Sequence, residues 1–179
     1  TEDCLTRLDQ EFPLTLVLQG LENTDARVRE EKPVTPAFLF AVLLWEPVRR
    51  RAEALQAGGA PAFQGIQLAA GELLGKQLQR VALPRRFSTP MQEIWSLQAR
   101  FSNTRGKRPQ RLLAHPRFRA AYDFMLLRAA AGEADPELAQ WWTALQEGAV
   151  DAQPASEPGS ARRRGRRRRG RRKAAPAEG

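Results

Sequence analysis

A chain of 179 residues with 42% hydrophobic side chains has room for one ordinary domain plus an appendage, and enough apolar material for a real core. Its formal charge of +9 and isoelectric point near 11.0 point to a polyanionic partner, nucleic acid before an anionic membrane surface. The single cysteine, Cys4, excludes an intrachain disulfide and suits a reducing, cytoplasmic setting, while the longest apolar run, residues 37–45, falls far short of the ~20 residues that cross a bilayer.

The chain opens at Thr1 rather than methionine, on a segment that already reads as helical and carries no charged-then-apolar leader; this predicts a part lying upstream. Leu14, Val17, Leu18 and Leu21 give helical spacing over about 13–29. Thr35-Pro36 then marks a helix start, since proline fits the first turn and a preceding threonine can cap it. The run 37–45 shows no polar face, which predicts a helix buried on most sides, kinked or ended by Pro47. Ala60-Pro61 opens another, about 62–82, whose Gly65, Gly71 and Gly75 lower its propensity.

Thr89-Pro90 is the next start, with Gln92 at capping-box spacing and Met91, Ile94, Trp95 and Phe101 as the apolar stripe. His115-Pro116 precedes Phe118, Ala121, Tyr122, Met125 and Ala129, and Asp135-Pro136 precedes Leu138, Trp141, Trp142 and Leu145. Gly132 and Gly148 stand where helices stop. No window alternates with the period of a strand. The expectation is an all-α body, residues 1–148, of six or seven packed helices. Residues 149–161 have the Ala, Pro, Ser and Gly content of a linker. Residues 162–179 form a basic tail in which Arg162, Arg163, Arg164, Arg166, Arg167, Arg168, Arg169, Arg171, Arg172 and Lys173 repel one another and have nothing apolar to bury. Such a segment stays disordered until a polyanion arrives.

Catalytic chemistry is thin. His115 is the only histidine, and its place before a proline reads as a loop or cap residue. One His and one Cys cannot make a typical zinc site, no phosphate-loop sequence is present, and no two aspartates stand two apart as a pair for magnesium ions on a strand would. The sequence therefore predicts a binding chain without catalytic residues, metal or cofactor of its own.

Charge is distributed in blocks. Residues 76–128 hold twelve basic and two acidic side chains, whereas 129–160 hold six acidic and none basic. Within the basic block the side chains gather at two expected loops, 84–88 and 103–109. Arg85, Arg86, Arg105, Lys107, Arg108, Arg111, Arg117 and Arg119 are the candidates for nucleic-acid backbone, because guanidinium pairs bidentately with phosphate. Arg80, Arg100 and Arg128 belong to the same stretch. Phe87, between Arg86 and Ser88, is the candidate for stacking on a base; Trp95, Tyr122, Trp141 and Trp142 read as core. The tail supplies loose, sequence-blind and strongly salt-dependent attachment.

Several stretches resemble bacterial poly(A) polymerase, beginning after that family's neck. They are Asn23-Thr24-Asp25-Ala26-Arg27, Pro36-Ala37-Phe38-Leu39-Phe40-Ala41 with Trp45 before Pro47, Pro84-Arg85-Arg86-Phe87, and Ile94-Trp95-Ser96-Leu97-Gln98. The resemblance is closest at Gly106-Lys107-Arg108 and from Leu112 through His115-Pro116 to Asp123; it takes in residues 15–147 and, by composition, the tail. The resemblance implies kinship with the class II nucleotidyltransferases and tRNA CCA-adding enzymes. It implies addition of AMP from ATP, with magnesium, to RNA 3′ ends, which marks RNA for decay. The family's paired aspartates and ATP-selecting neck match nothing in this chain, so no catalytic residue carries over. What carries over is a helical platform whose arginines hold RNA, in a bacterial cytoplasmic protein with RNA-decay proteins as further partners. Two other classes fit the charge: a non-catalytic RNA-binding adaptor, and a tail that binds anionic membrane.

Overall fold

The computed structural model describes residues 14–78 and 83–148, and among them every regular element is an α-helix. In chain order these are α1 (Leu14–Arg29), α2 (Pro36–Leu43), α3 (Trp45–Ala57), α4 (Ala62–Leu78), α5 (Arg85–Gln98), α6 (Arg108–Leu113), α7 (Phe118–Ala130) and α8 (Pro136–Gln146). The two helices that apolar spacing does not reveal are α3, which is rich in charge, and α6, whose 6 residues are too few to show a period. Residues 79–82, the far end of the expected 62–82 helix, lie outside the described residues.

Helix α1 turns Leu16 and Gly20 inward. A Cβ on Gly20 would stand 2.7 Å from Val42 Cγ1, so the missing side chain lets α1 and α2 approach closely. Pro36 occupies the first turn of α2 behind an extended Thr35 whose hydroxyl makes no cap bond. The run 37–45 is less enclosed than its composition predicts. Ala37, Ala41 and Val42 are buried, but Phe40 and Leu43 remain exposed. The chain breaks at Leu44 and restarts at Trp45. Pro47 therefore enters the first turn of α3, where its missing N–H is harmless, instead of ending a helix.

Helix α5 departs further from expectation. It starts behind Pro84, with the Phe87 and Ser88 N–H groups donating to the Pro84 carbonyl at 2.9 and 3.2 Å. Thr89 thus has no terminus to cap, and Pro90 lies inside the helix. The physical reason is burial: the earlier start brings Phe87 against the core and Ser88 into the interior, ahead of the expected stripe. At the other end of the molecule the Asp135 cap forms as expected, accepting the Glu137 N–H at 2.9 Å.

Helices α5 and α7 hold the body together. Met91, Ile94 and Trp95 of α5, with Phe124 of α7, join a core made with α1–α4. Leu97 of α5 and Phe118, Ala121, Tyr122 and Met125 of α7 join a second core with Phe101, Leu112, Ala139 and Trp142. The buried polar atoms of the large rings are satisfied, as a dry interior requires. Trp95 Nε1 donates to the Ala41 carbonyl at 3.0 Å, Trp142 Nε1 to the Phe101 carbonyl at 2.9 Å, and Tyr122 shares a 2.6 Å hydrogen bond with Thr143. Trp95, Tyr122 and Trp142 are core, as their spacing predicts. No helix among the described residues is long and apolar enough to cross a membrane.

Candidate nucleic-acid interface

The chain leaves α5 at Gln98, turns through Phe101 and re-enters a helix at Arg108. Phe101 anchors this connection by being fully buried with its ring 5.2 Å from Trp142 in an edge-on arrangement. Gly106 adopts φ +64°, a left-handed conformation that glycine enters without steric cost. It presents Arg105 and Lys107, both exposed, on one tight turn. Pro109 and Leu112 point into the protein from α6, which leaves Arg108 and Arg111 facing solvent.

Three adjoining depressions share residues along this edge. One of about 240 Å³ is lined from α4 and α5 by Phe63, Gln67, Thr89, Gln92 and Ser96, among others, and by Arg100 from the turn after α5. Arg100 also lines a second, of about 390 Å³, with Asn103, Arg108 and Arg111. Asn103 and Arg108 continue into a third with Thr104 and Arg105. The result is a groove with a cationic floor, built where α5, its following turn and α6 meet.

Most of that charge is not neutralised by carboxylates among the described residues. Among the described residues no carboxylate pairs with Arg100, Lys107, Arg108 or Arg111. Arg100 lies 4.8 Å over the Phe63 ring, and Arg108 donates to Asn103 Oδ1 at 3.0 Å, a neutral partner that orients the guanidinium without cancelling it. The body's carboxylates are spent elsewhere. Glu46 accepts from Arg49 and Arg50, and Glu72 from Arg51. Burial alone would raise the Glu46 carboxyl, but the Arg49 and Arg50 hydrogen bonds outweigh it and hold the group below the usual carboxylate range.

The other predicted contacts divide between two places. Arg85 and Arg86 stand exposed on the first turn of α5, roughly 20 Å along the helix from its groove end, and have no carboxylate partner among the described residues. Residues 85–88 are helix behind the Pro84 cap, not loop, which corrects the expected setting of Phe87. Its ring is half-buried against the core, 6.2 Å from Phe40, with Arg86 4.9 Å above it.

Arg117 and Arg119 line a different hollow of about 230 Å³ with Asn23, Arg27 and Asp123. Both are paired: Arg117 with Glu93 at 2.9 Å, Arg119 with Asp123 at 3.1 Å. Glu93 belongs to the Phe63 depression, so the Arg117–Glu93 pair stands between the two hollows. Burial raises the Asp123 carboxyl despite the opposing attraction of Arg119. His115 is a local cap, its Nδ1 accepting the Arg117 N–H at 3.1 Å.

One member of the basic stretch turns inward. Arg128, with a side chain 16% exposed, stacks 4.7 Å over Trp45. Its guanidinium reaches the carbonyl of Glu133 at 3.2 Å, while the Glu133 carboxylate accepts the Trp45 indole N–H at 3.0 Å. This arginine ties α3 to the end of α7 and is not available to a ligand. Arg80, the linker 149–161 and the tail arginines from Arg162 onward lie outside the described residues. Sequence reasoning placed Arg100 in the basic stretch without choosing it as a contact and gave Phe63 no role; the signal for the pairing of Phe63 with Arg100 is tertiary, since 37 positions separate them. Among the described residues no three His, Cys, Asp or Glu side chains gather as metal ligands.

The family described as the arginine-rich C-terminus of polymerase A matches residues 58–174. The chain is 40% identical over 142 residues to poly(A) polymerase I of Salmonella typhi, covering 77% of this chain and 30% of that protein. It is 39% identical over 135 residues to poly(A) polymerase I of Escherichia coli O157:H7, covering 73% and 29%. With poly(A) polymerase I of Haemophilus influenzae the figures are 35% over 143 residues, 79% and 32%. The chain thus spans about a third of the length of the curated relatives it matches.

Proposed function

The chain belongs to the polymerase A arginine-rich C-terminus family, and from that premise we propose that it holds the backbone of RNA for a poly(A) polymerase. Joined to a catalytic portion, it positions the RNA 3′ end for transfer of AMP from ATP in the bacterial cytoplasm. The observation that carries this reading is the groove at the α5–α6 edge, where Arg100, Arg108 and Arg111 line adjoining depressions and no carboxylate of the described body neutralises them. Phosphates spaced along a strand suit such a row. Each neutralised phosphate releases condensed counterions, which makes affinity depend steeply on salt.

In this reading Lys107 and Arg105 extend the row around the Gly106 turn, and Arg85 and Arg86 meet the strand further along α5. The paired Arg117 and Arg119 contribute only where phosphate displaces their carboxylates. The tail arginines, from Arg162 to Lys173, tether RNA without reading its sequence. In this reading ATP and magnesium belong to the catalytic portion, and no step of the transfer is assigned to the described residues.

The test is binding of a labelled oligoribonucleotide to the 179-residue chain across a salt series. Replacing Arg100, Arg108 and Arg111 together by Ala lowers affinity at least tenfold at low salt. It also reduces the slope of log affinity against log salt by about 2, at ~0.7 per lost phosphate contact on a single strand. An unchanged affinity and slope would sink the groove assignment.

A further inference from the structure

The Phe63 depression differs from the rest of the groove in being more than cationic. Arg100 lies over the Phe63 ring at 4.8 Å, so its guanidinium has an aromatic face underneath. Around it stand the side chains of Gln67 and Gln92, both exposed, and of Ser96, with Leu97 in the wall. A carboxamide offers a donor pair and an acceptor side by side, which suits the edge of a heterocycle and does nothing special for a phosphate. The volume, about 240 Å³, leaves room for a flat ring system of nucleobase size. Arg100 is also the residue shared with the depression lined by Arg108 and Arg111, so an occupant here would be continuous with a backbone lying there.

We propose that this depression receives one unpaired nucleobase of the strand held by the groove, stacked on Arg100 and hydrogen-bonded by Gln67 and Gln92. The inference rests on the RNA-holding reading above and deepens it, because a base can enter only if it is not paired. The groove then selects single-stranded RNA over duplex. Guanidinium planes and aromatic rings serve this purpose in single-strand recognition because every base has a π-face. The Phe63–Arg100 stack supplies the platform before any ligand arrives, so little ordering is needed on binding.

The experiment compares two strands of equal length and phosphate count, an oligoribonucleotide and its abasic ribose-phosphate counterpart, binding to the whole chain. The chain prefers the base-bearing strand. The double substitution Q67A/Q92A, on exposed positions that leave the core untouched, and separately Phe63→Leu, which keeps an apolar wall without the ring, shrink that preference roughly fivefold or more. The glutamine variant leaves affinity for the abasic strand unchanged. If the preference is absent, or survives both variants intact, the base pocket is wrong. The RNA-holding reading fails separately, when neither strand is sensitive to Arg108→Ala with Arg111→Ala.

Discussion

Glu46 and Asp123 are both carboxylates beside arginines, yet their surroundings push them in opposite directions. Glu46 is buried, and burial is the largest influence on it, but hydrogen bonds from Arg49 and Arg50 together overcome that penalty and lower its pKa. Asp123 has one exposed arginine, Arg119, at 3.1 Å, and there burial wins and the pKa rises. The linkage follows directly. The Glu46 contribution is present above the ordinary glutamate pKa and is lost as pH falls through the lowered folded value. Asp123 is the reverse case: ionising it at neutral pH costs the folded state something that vanishes once both states are protonated. We expect Glu46→Gln to cost about 1–2 kcal/mol at pH 7, with the gap closing below about pH 4. Asp123→Asn should raise the urea midpoint at pH 7 and leave it unchanged at low pH. Urea melts of the two variants at several pH values check both signs, and parallel pH profiles would contradict the assignment.

At the scale of elements, α5 carries the clearest conflict between helix stability and the proposed RNA binding. Its first turn begins with Arg85 and Arg86 and contains no acidic residue, although the unpaired N–H groups there favour negative charge. Both side chains are exposed, and apart from the Phe87 ring beneath Arg86 no carboxylate among the described residues rewards their position. A phosphate strand would. Replacing both with Glu should stabilise the body by roughly 0.5–1 kcal/mol while weakening RNA binding severalfold; thermal or urea unfolding read beside RNA titration separates the two effects. A variant that loses stability, or binds RNA as before, would remove these arginines from the proposed path. The placement of α5 also shows where local signals mislead. Thr89-Pro90-x-Gln92 is a good start signal in isolation. Packing of Phe87 against the core and burial of Ser88 override it and carry the helix back to Arg85, with an interior proline as the cost.

For the whole molecule, the decisive feature is that the two cores are not separate. Trp45 and Trp95 lie in one, Trp142 in the other with Trp141 against it, and α5 and α7 contribute to both. Neither core can lose its packing without dismantling a helix the other needs, which predicts one cooperative transition. Fluorescence-monitored urea melts of Trp45→Phe/Trp95→Phe and of Trp141→Phe/Trp142→Phe, each reporting the core whose tryptophans remain, should be matched against circular dichroism of the same variant. Coincident curves within each variant are the expected result, and a split transition in either would show two independent units. The sequence by itself determined the helical class, the tryptophans of the core, the Asp135 cap and the block of positive charge, because each of these rests on neighbours within a turn or two of chain. Tertiary structure alone decided which arginines act together. Packing turns Arg128 into the interior against Trp45, pairs Arg117 with Glu93 across 24 positions, and sets Arg100 on Phe63 beside Arg108 and Arg111. Charge is a property of the residue, but its availability to a ligand depends on which side chains the fold brings within a few ångströms.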